Sequence, residues 1–168
     1  MIRIALIVLV AVALLGAALP ALDDARTTTT VERLDDEGER IERTAAALAA
    51  GSVAVDDPTL AARSTVRIAA PSGLTAARID RLALVDPTEI RTEDDVRSRD
   101  DRARPDVALV YRLADGRQRL VPIQPSPAAP SVRVVDGPIE LRTGGHSRIE
   151  LRLVDEAGSP TVRLVRAG

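Results

Sequence analysis

The chain has 168 residues, 45% of them apolar, yet no Phe, Trp or Cys and a single Tyr, so its hydrophobic content is almost wholly aliphatic and alanyl. That length suits one modest domain, or one domain plus an anchor, and the lack of cysteine excludes disulfides, Cys-ligated zinc and iron–sulfur clusters. All 23 basic residues are arginine, set against 25 carboxylates for a net charge of −2, which leaves no positive surplus to collect nucleic acid.

After Met1-Ile2-Arg3, an uncharged run extends from Ile4 to Leu22, with eleven Leu, Ile or Val and six Ala, before Asp23-Asp24 ends it. As a helix this run is roughly 28 Å long, close to the hydrocarbon thickness of a bilayer. Residues 1–22 are therefore expected to form a single-pass transmembrane anchor in the cell membrane, with membrane lipid as partner. Arg3 and the terminal amine on one flank and the Asp pair on the other predict a cytoplasmic N-terminus and an extracytoplasmic C-terminal domain. A cleaved signal peptide, with small residues at Gly16-Ala17-Ala18, is disfavoured because its apolar core usually spans about 7 to 15 residues. Ala13, Ala17 and Ala21 recur every four residues, which predicts a membrane-packing face for homo- or hetero-oligomers formed through this helix. An alanine-rich helix with no partner is the plainer reading of the same pattern.

Residues 23–50 change character. Val31, Leu34, Gly38, Ile41, Ala45 and Leu48 follow one another at alternating spacings of 3 and 4, the rhythm of an amphipathic helix. Val31, Leu34, Ile41 and Leu48 are expected to pack that helix on a sheet of the same chain. Asp36 with Arg40 and Glu39 with Arg43 place acid four residues before base, the better orientation on a helix. Thr27 to Thr30 have modest helix propensity, and Thr29 with Glu32 fits a capping box, so a break near Thr29 competes with a continuous helix. Continuity is favoured, with a bend at Pro20, which removes a backbone donor and crowds the preceding turn. Gly51-Ser52 and Asp57-Pro58 end the helix, leaving residues 51–63 as a linker.

From residue 64 to 168 the period changes to two, predicting an antiparallel β domain. Val66 and Ile68 open it, and Ile79 to Val85 reads as strand. Val107, Leu109, Tyr111 and Leu113 share one face, and Asp115-Gly116 turns the chain back through Leu120 to Ile123. Val132 with Val134 and Ile139 with Leu141 form short strands about Asp136-Gly137-Pro138. Ile149, Leu151 and Leu153 form a hairpin with Val162 and Leu164 through a turn at Gly158-Ser159-Pro160. Residues 92–105 read as a charged surface loop, and residues 122–130 as a Pro-rich segment between β portions. Without large aromatics such a sheet buries a thin core and needs a cover. The expected fold class is thus α+β, a long N-terminal helix (transmembrane half plus amphipathic half) followed by a small antiparallel β domain. The alternative is a β-sandwich on a helical stalk.

Chemical motifs are sparse. His146 lies in Gly144-Gly145-His146-Ser147, where a solvated turn histidine is the favoured reading over a base or ligand. Asp-Asp pairs begin at Asp23, Asp35, Asp56, Asp94 and Asp100 but lack the spacing of a calcium loop, and arginines compete for the 93–101 carboxylates. No phosphate loop, dinucleotide fingerprint or zinc-helix motif occurs. No catalytic, metal or cofactor-binding residue is assigned, no cofactor is expected, and the chain is read as a non-enzyme.

An apolar helix that continues as an amphipathic helix to about residue 50 and ends in β-hairpins resembles the type IV pilins and pseudopilins. The resemblance implies a helix that packs in a filament centre and a β head on its outside. It implies a non-enzymatic, membrane-anchored structural or accessory subunit of a pilus-like or secretion assembly. A monomeric, membrane-tethered β-domain binding module is the alternative. The all-arginine, Ala- and Asp-rich, cysteine-free composition also resembles small membrane-anchored proteins of halophilic archaea.

Overall fold

The computed structural model describes residues 2–87, 106–123 and 129–167, with the side chains at positions 2, 4, 5, 11–15 and 17–19 outside the description. One helix, α1 (Ile2–Gly51), precedes eight strands: β1 (Ala62–Ala70), β2 (Ile79–Val85), β3 (Val107–Leu113), β4 (Gln118–Ile123), β5 (Ser131–Val134), β6 (Ile139–Glu140), β7 (Gly145–Glu156) and β8 (Ser159–Arg166). They form two four-stranded sheets, ordered β1-β7-β8-β5 and β4-β3-β2-β6.

Helix α1 runs through Thr27 to Thr30 without a break, and the threonines themselves explain how. Thr27, Thr28 and Thr30 each donate a side-chain hydrogen bond to the carbonyl four residues back, at 2.9, 3.0 and 2.8 Å. Bonded in this way, a hydroxyl no longer draws the backbone toward a cap or turn conformation. Thr30 is fully buried, and its oxygen also accepts the Ala77 N–H at 2.8 Å, clipping the helix to the segment between β1 and β2. Thr30→Val removes that acceptor while keeping the shape, and is expected to cost about 1–3 kcal/mol by leaving the amide without its partner. Chemical denaturation measures it, and Thr30→Ser, which keeps the hydroxyl, is expected to lose less.

The fold class differs from the expected helix over a small antiparallel sheet: the protein is β-rich. Leu34, Ile41, Ala45 and Leu48 of α1 are buried in one cluster with Val66 and Ile68 of β1, Leu109, Tyr111 and Leu113 of β3, and Ile149, Leu151 and Leu153 of β7. The two sheets thus share this core, while Ala83 and Val85 of β2 and Ala108 and Val110 of β3 form a second, smaller buried cluster. The helix packs against β1 and β4, which are edge strands of different sheets. Gly38 makes the approach to β4 close, since a Cβ there would lie 3.1 Å from Val121 Cγ1. On the other side, Arg40 Nη1 reaches the Arg67 carbonyl of β1 at 3.4 Å. From Thr27 onward, therefore, α1 is neither a lid on one sheet face nor a free stalk. It closes the side where both sheets would otherwise present an edge.

Nor is the β region wholly antiparallel, because β5 runs parallel to β8. Asp136 and Gly137 both take positive φ, 70° and 82°, a turn glycine accepts and aspartate tolerates. The chain leaves one sheet here and enters the other, so β5 cannot form a hairpin with β6. β5 instead adds to the free edge of β8, while β6 pairs with β2. The β3–β4 hairpin forms with Gly116 at φ 86° and Asp115 capping the Arg117 amide at 2.9 Å. The β7–β8 turn sits at Ala157-Gly158, one residue earlier than expected, with both φ values positive as a two-residue hairpin turn requires.

A transmembrane anchor at residues 1–22 is also overturned: among the described residues, no helix is long and apolar enough to cross a membrane. The single-pass location, and the cytoplasmic N-terminus and extracytoplasmic C-terminal domain that depend on it, have no such helix to rest on.

Tyr111 is the largest fully buried side chain among the described residues. Burial pushes its phenol above the ordinary value; Arg119 opposes the shift and Asp35 of α1 reinforces it. An unfolded tyrosine ionises near pH 10, so the folded state holds a proton that the unfolded chain releases. Stability from this group is present in full below about pH 10 and is lost as pH rises toward the folded value. With one Tyr and no Trp, ultraviolet absorbance follows this phenol alone. Its ionisation is expected to be delayed and to coincide with loss of the β circular dichroism; ionisation near pH 10 in an intact fold would contradict the burial.

Candidate functional site

Two regions stand out from the packed body. The first is the N-terminal arm of α1. Arg26 ends it, donating from Nε to the Leu74 carbonyl at 2.8 Å, and Thr27 and Thr30 just beyond are buried. Before Arg26 every described side chain is exposed. The 24 positions from Ile2 to Ala25 make an arm roughly 36 Å long. Leu6, Ile7, Val8, Leu9 and Val10 are between 48% and 69% exposed, and Leu22 is exposed as well. Leu6, Leu9 and Val10 lie on one helical face by their spacing of three and four. Charge enters the arm only at Arg3 and at Asp23-Asp24, its two ends.

Of the residues assigned to a packing face, Ala21 is exposed, while the side chains of Ala13 and Ala17 lie outside the described residues. Leu34, Ile41 and Leu48 point into the shared core, and Val31 is partly buried against it. The charged loop at 92–105 and most of the Pro-rich segment also lie outside the described residues; of the latter, Pro122 is an exposed residue of β4. Among the described residues, no group of three or more His, Asp or Glu is placed to hold a metal ion.

The second region is an open cleft of about 570 Å³ where the chain after β6 meets the start of β7 and the end of β8. His146 and Ser147, part of an expected turn, are residues of β7 here, and both line the cleft. His146 is exposed, opposite Ala69 of β1. Ser147 Oγ accepts the Arg142 N–H at 2.9 Å. Four arginines, Arg67, Arg142, Arg148 and Arg166, share the cleft with one carboxylate, Glu140. Glu140 is already engaged by Arg81, whose Nε lies 3.1 Å from Oε1 and whose Nη2 contacts the same oxygen. That carboxylate in turn holds the Arg81 guanidinium more firmly protonated.

Sequence reasoning found none of these arginines. Arg67 and Arg148 take exposed positions within β1 and β7, Arg166 ends β8 and Arg142 follows β6, and no local spacing ties the four together. A family model described as a domain of unknown function (DUF7311) matches residues 1–167. No curated protein and no solved structure matches the chain.

Proposed function

The chain belongs to the DUF7311 family, a domain of unknown function, and from that premise we propose that it is a non-enzymatic structural or accessory subunit of a pilus-like or secretion assembly. The arms of α1 from several copies pack together, and the β body of each copy stands outside the bundle. The observation that carries this reading is the run of five exposed large aliphatics, Leu6 to Val10, on a helix with no polar stripe there. Helices apolar all round are found buried, and contiguous exposed apolar surface marks an interaction site. A second copy is the occupant that fits, because it brings an arm of the same length with the same charge-free middle. The small residues Ala13, Ala17 and Ala21, spaced at four, let such helices approach closely. The type IV pilin resemblance fits the same plan of helical arm and β head.

Sedimentation velocity of the full chain across a wide concentration range tests it. Discrete oligomers or a growing polymer are expected; a monomer at every concentration would sink the reading.

A further inference from the structure

The arginine cleft goes beyond the assembly reading and does not depend on it. We propose that the cleft between the end of β6, the start of β7 and the end of β8 is a binding site for a phosphate-class oxyanion, free or carried on a small molecule.

Charge placement is the first ground. Arg67 of β1 and Arg148 of β7 are direct cross-strand partners. Side chains so placed have Cβ atoms about 4.5–5.5 Å apart, and like charges there repel. The same two strands contain a second such pair, Arg63 opposite Arg152. In that pair Glu150 lies between the two, 4.0 Å from Arg63 and 2.6 Å from Arg152. The protein thus neutralises one arginine pair with a carboxylate of its own and leaves the other without one among the described residues. Arg142 and Arg166, which also line the cleft, likewise have no carboxylate partner among the described residues. The one acid on the wall among the described residues, Glu140, is occupied by Arg81.

Hydrogen-bonding capacity is the second ground. An arginine carries five N–H donors and no acceptor, and its planar fork matches phosphate oxygens two at a time. Ser147 accepts from the Arg142 N–H, so its hydroxyl proton remains to donate into the cleft. His146 adds a ring N–H at the rim. A wall of donors with its acceptor already used suits a ligand that only accepts, and a ligand with several charged oxygens engages more than one arginine.

Isothermal titration of the full chain with inorganic phosphate, pyrophosphate and acetate at low ionic strength tests the proposal. Pyrophosphate is expected to bind more tightly than phosphate, acetate not measurably, and added salt to weaken both phosphate forms. Arg148→Ala and Arg142→Ala are each expected to weaken pyrophosphate binding by at least about tenfold. Arg148→Lys, which keeps charge but loses the fork, is expected to fall between. Arg33→Ala, on the exposed surface of α1, is expected to change nothing. Unchanged affinity in Arg148→Ala, an equal loss in Arg33→Ala, or acetate binding as well as phosphate would each overturn it. So would no heat from any anion while circular dichroism shows the chain folded. Because binding is scored per chain at the β body, its failure leaves the sedimentation result untouched, and the reverse holds as well.

Discussion

Ile41→Ala is expected to lower the unfolding free energy by about 2–5 kcal/mol, a large part of what a domain this size possesses. The side chain is completely buried, and its helix seals two sheets at once. Removing it leaves a cavity bordered by β residues that hydrogen bonds hold in register, so the site cannot easily collapse. Ile41→Val, which removes a single methylene, is expected to cost about 0.5–1.5 kcal/mol. Urea denaturation of both variants measures the difference. If Ile41→Ala cost no more than a surface change, α1 would be an appendage of the β body and its assigned place in the core would be wrong.

The second large effect concerns association. Leu6→Glu combined with Leu9→Glu is expected to convert the assembly to monomers with the β body unchanged. Each buried leucine contributes about 1.5–3 kcal/mol, so the pair raises the dissociation constant by about two to four powers of ten before the added charge is counted. Both residues lie on the exposed arm, away from the core, so circular dichroism and thermal unfolding of the body are expected to match the parent. A chain without native cysteine permits a direct check. Leu9→Cys is expected to form a disulfide-linked dimer on mild oxidation, while Val53→Cys, equally exposed but distant from the arm, is not. Unaltered sedimentation of the double glutamate variant would exclude the arm as the contact.

Local periodicity made much of the secondary structure legible. The alternation of Leu34, Ile41 and Leu48 with charges, and of Val107, Leu109 and Tyr111 with their neighbours, follows from which face each element buries. Sheet membership was not legible. Nothing local distinguishes a turn at Asp136-Gly137 that closes a hairpin from one that carries the chain to another sheet, so the parallel β5–β8 pair has no signature in the sequence. The apolar run from Ile4 to Leu22 was read through length and hydropathy alone, which suggested lipid where the described residues make no span. The arginine cleft was least accessible of all. Arg67 and Arg148 become neighbours only through the register of β1 against β7, and that register is set by the buried faces of both strands rather than by either arginine.

The arm and the seam that joins the two sheets are parts of one unbroken rod. A pull on the arm reaches the body first at Thr30 and Leu34, which hold the helix just inside it. Load travels into the line where the sheets meet, and failure would begin as a peeling of that rod from its first buried turn toward Leu48. How much traction the chain withstands at its arm is then governed by the first few side chains behind the arm, not by the number of strands in the body.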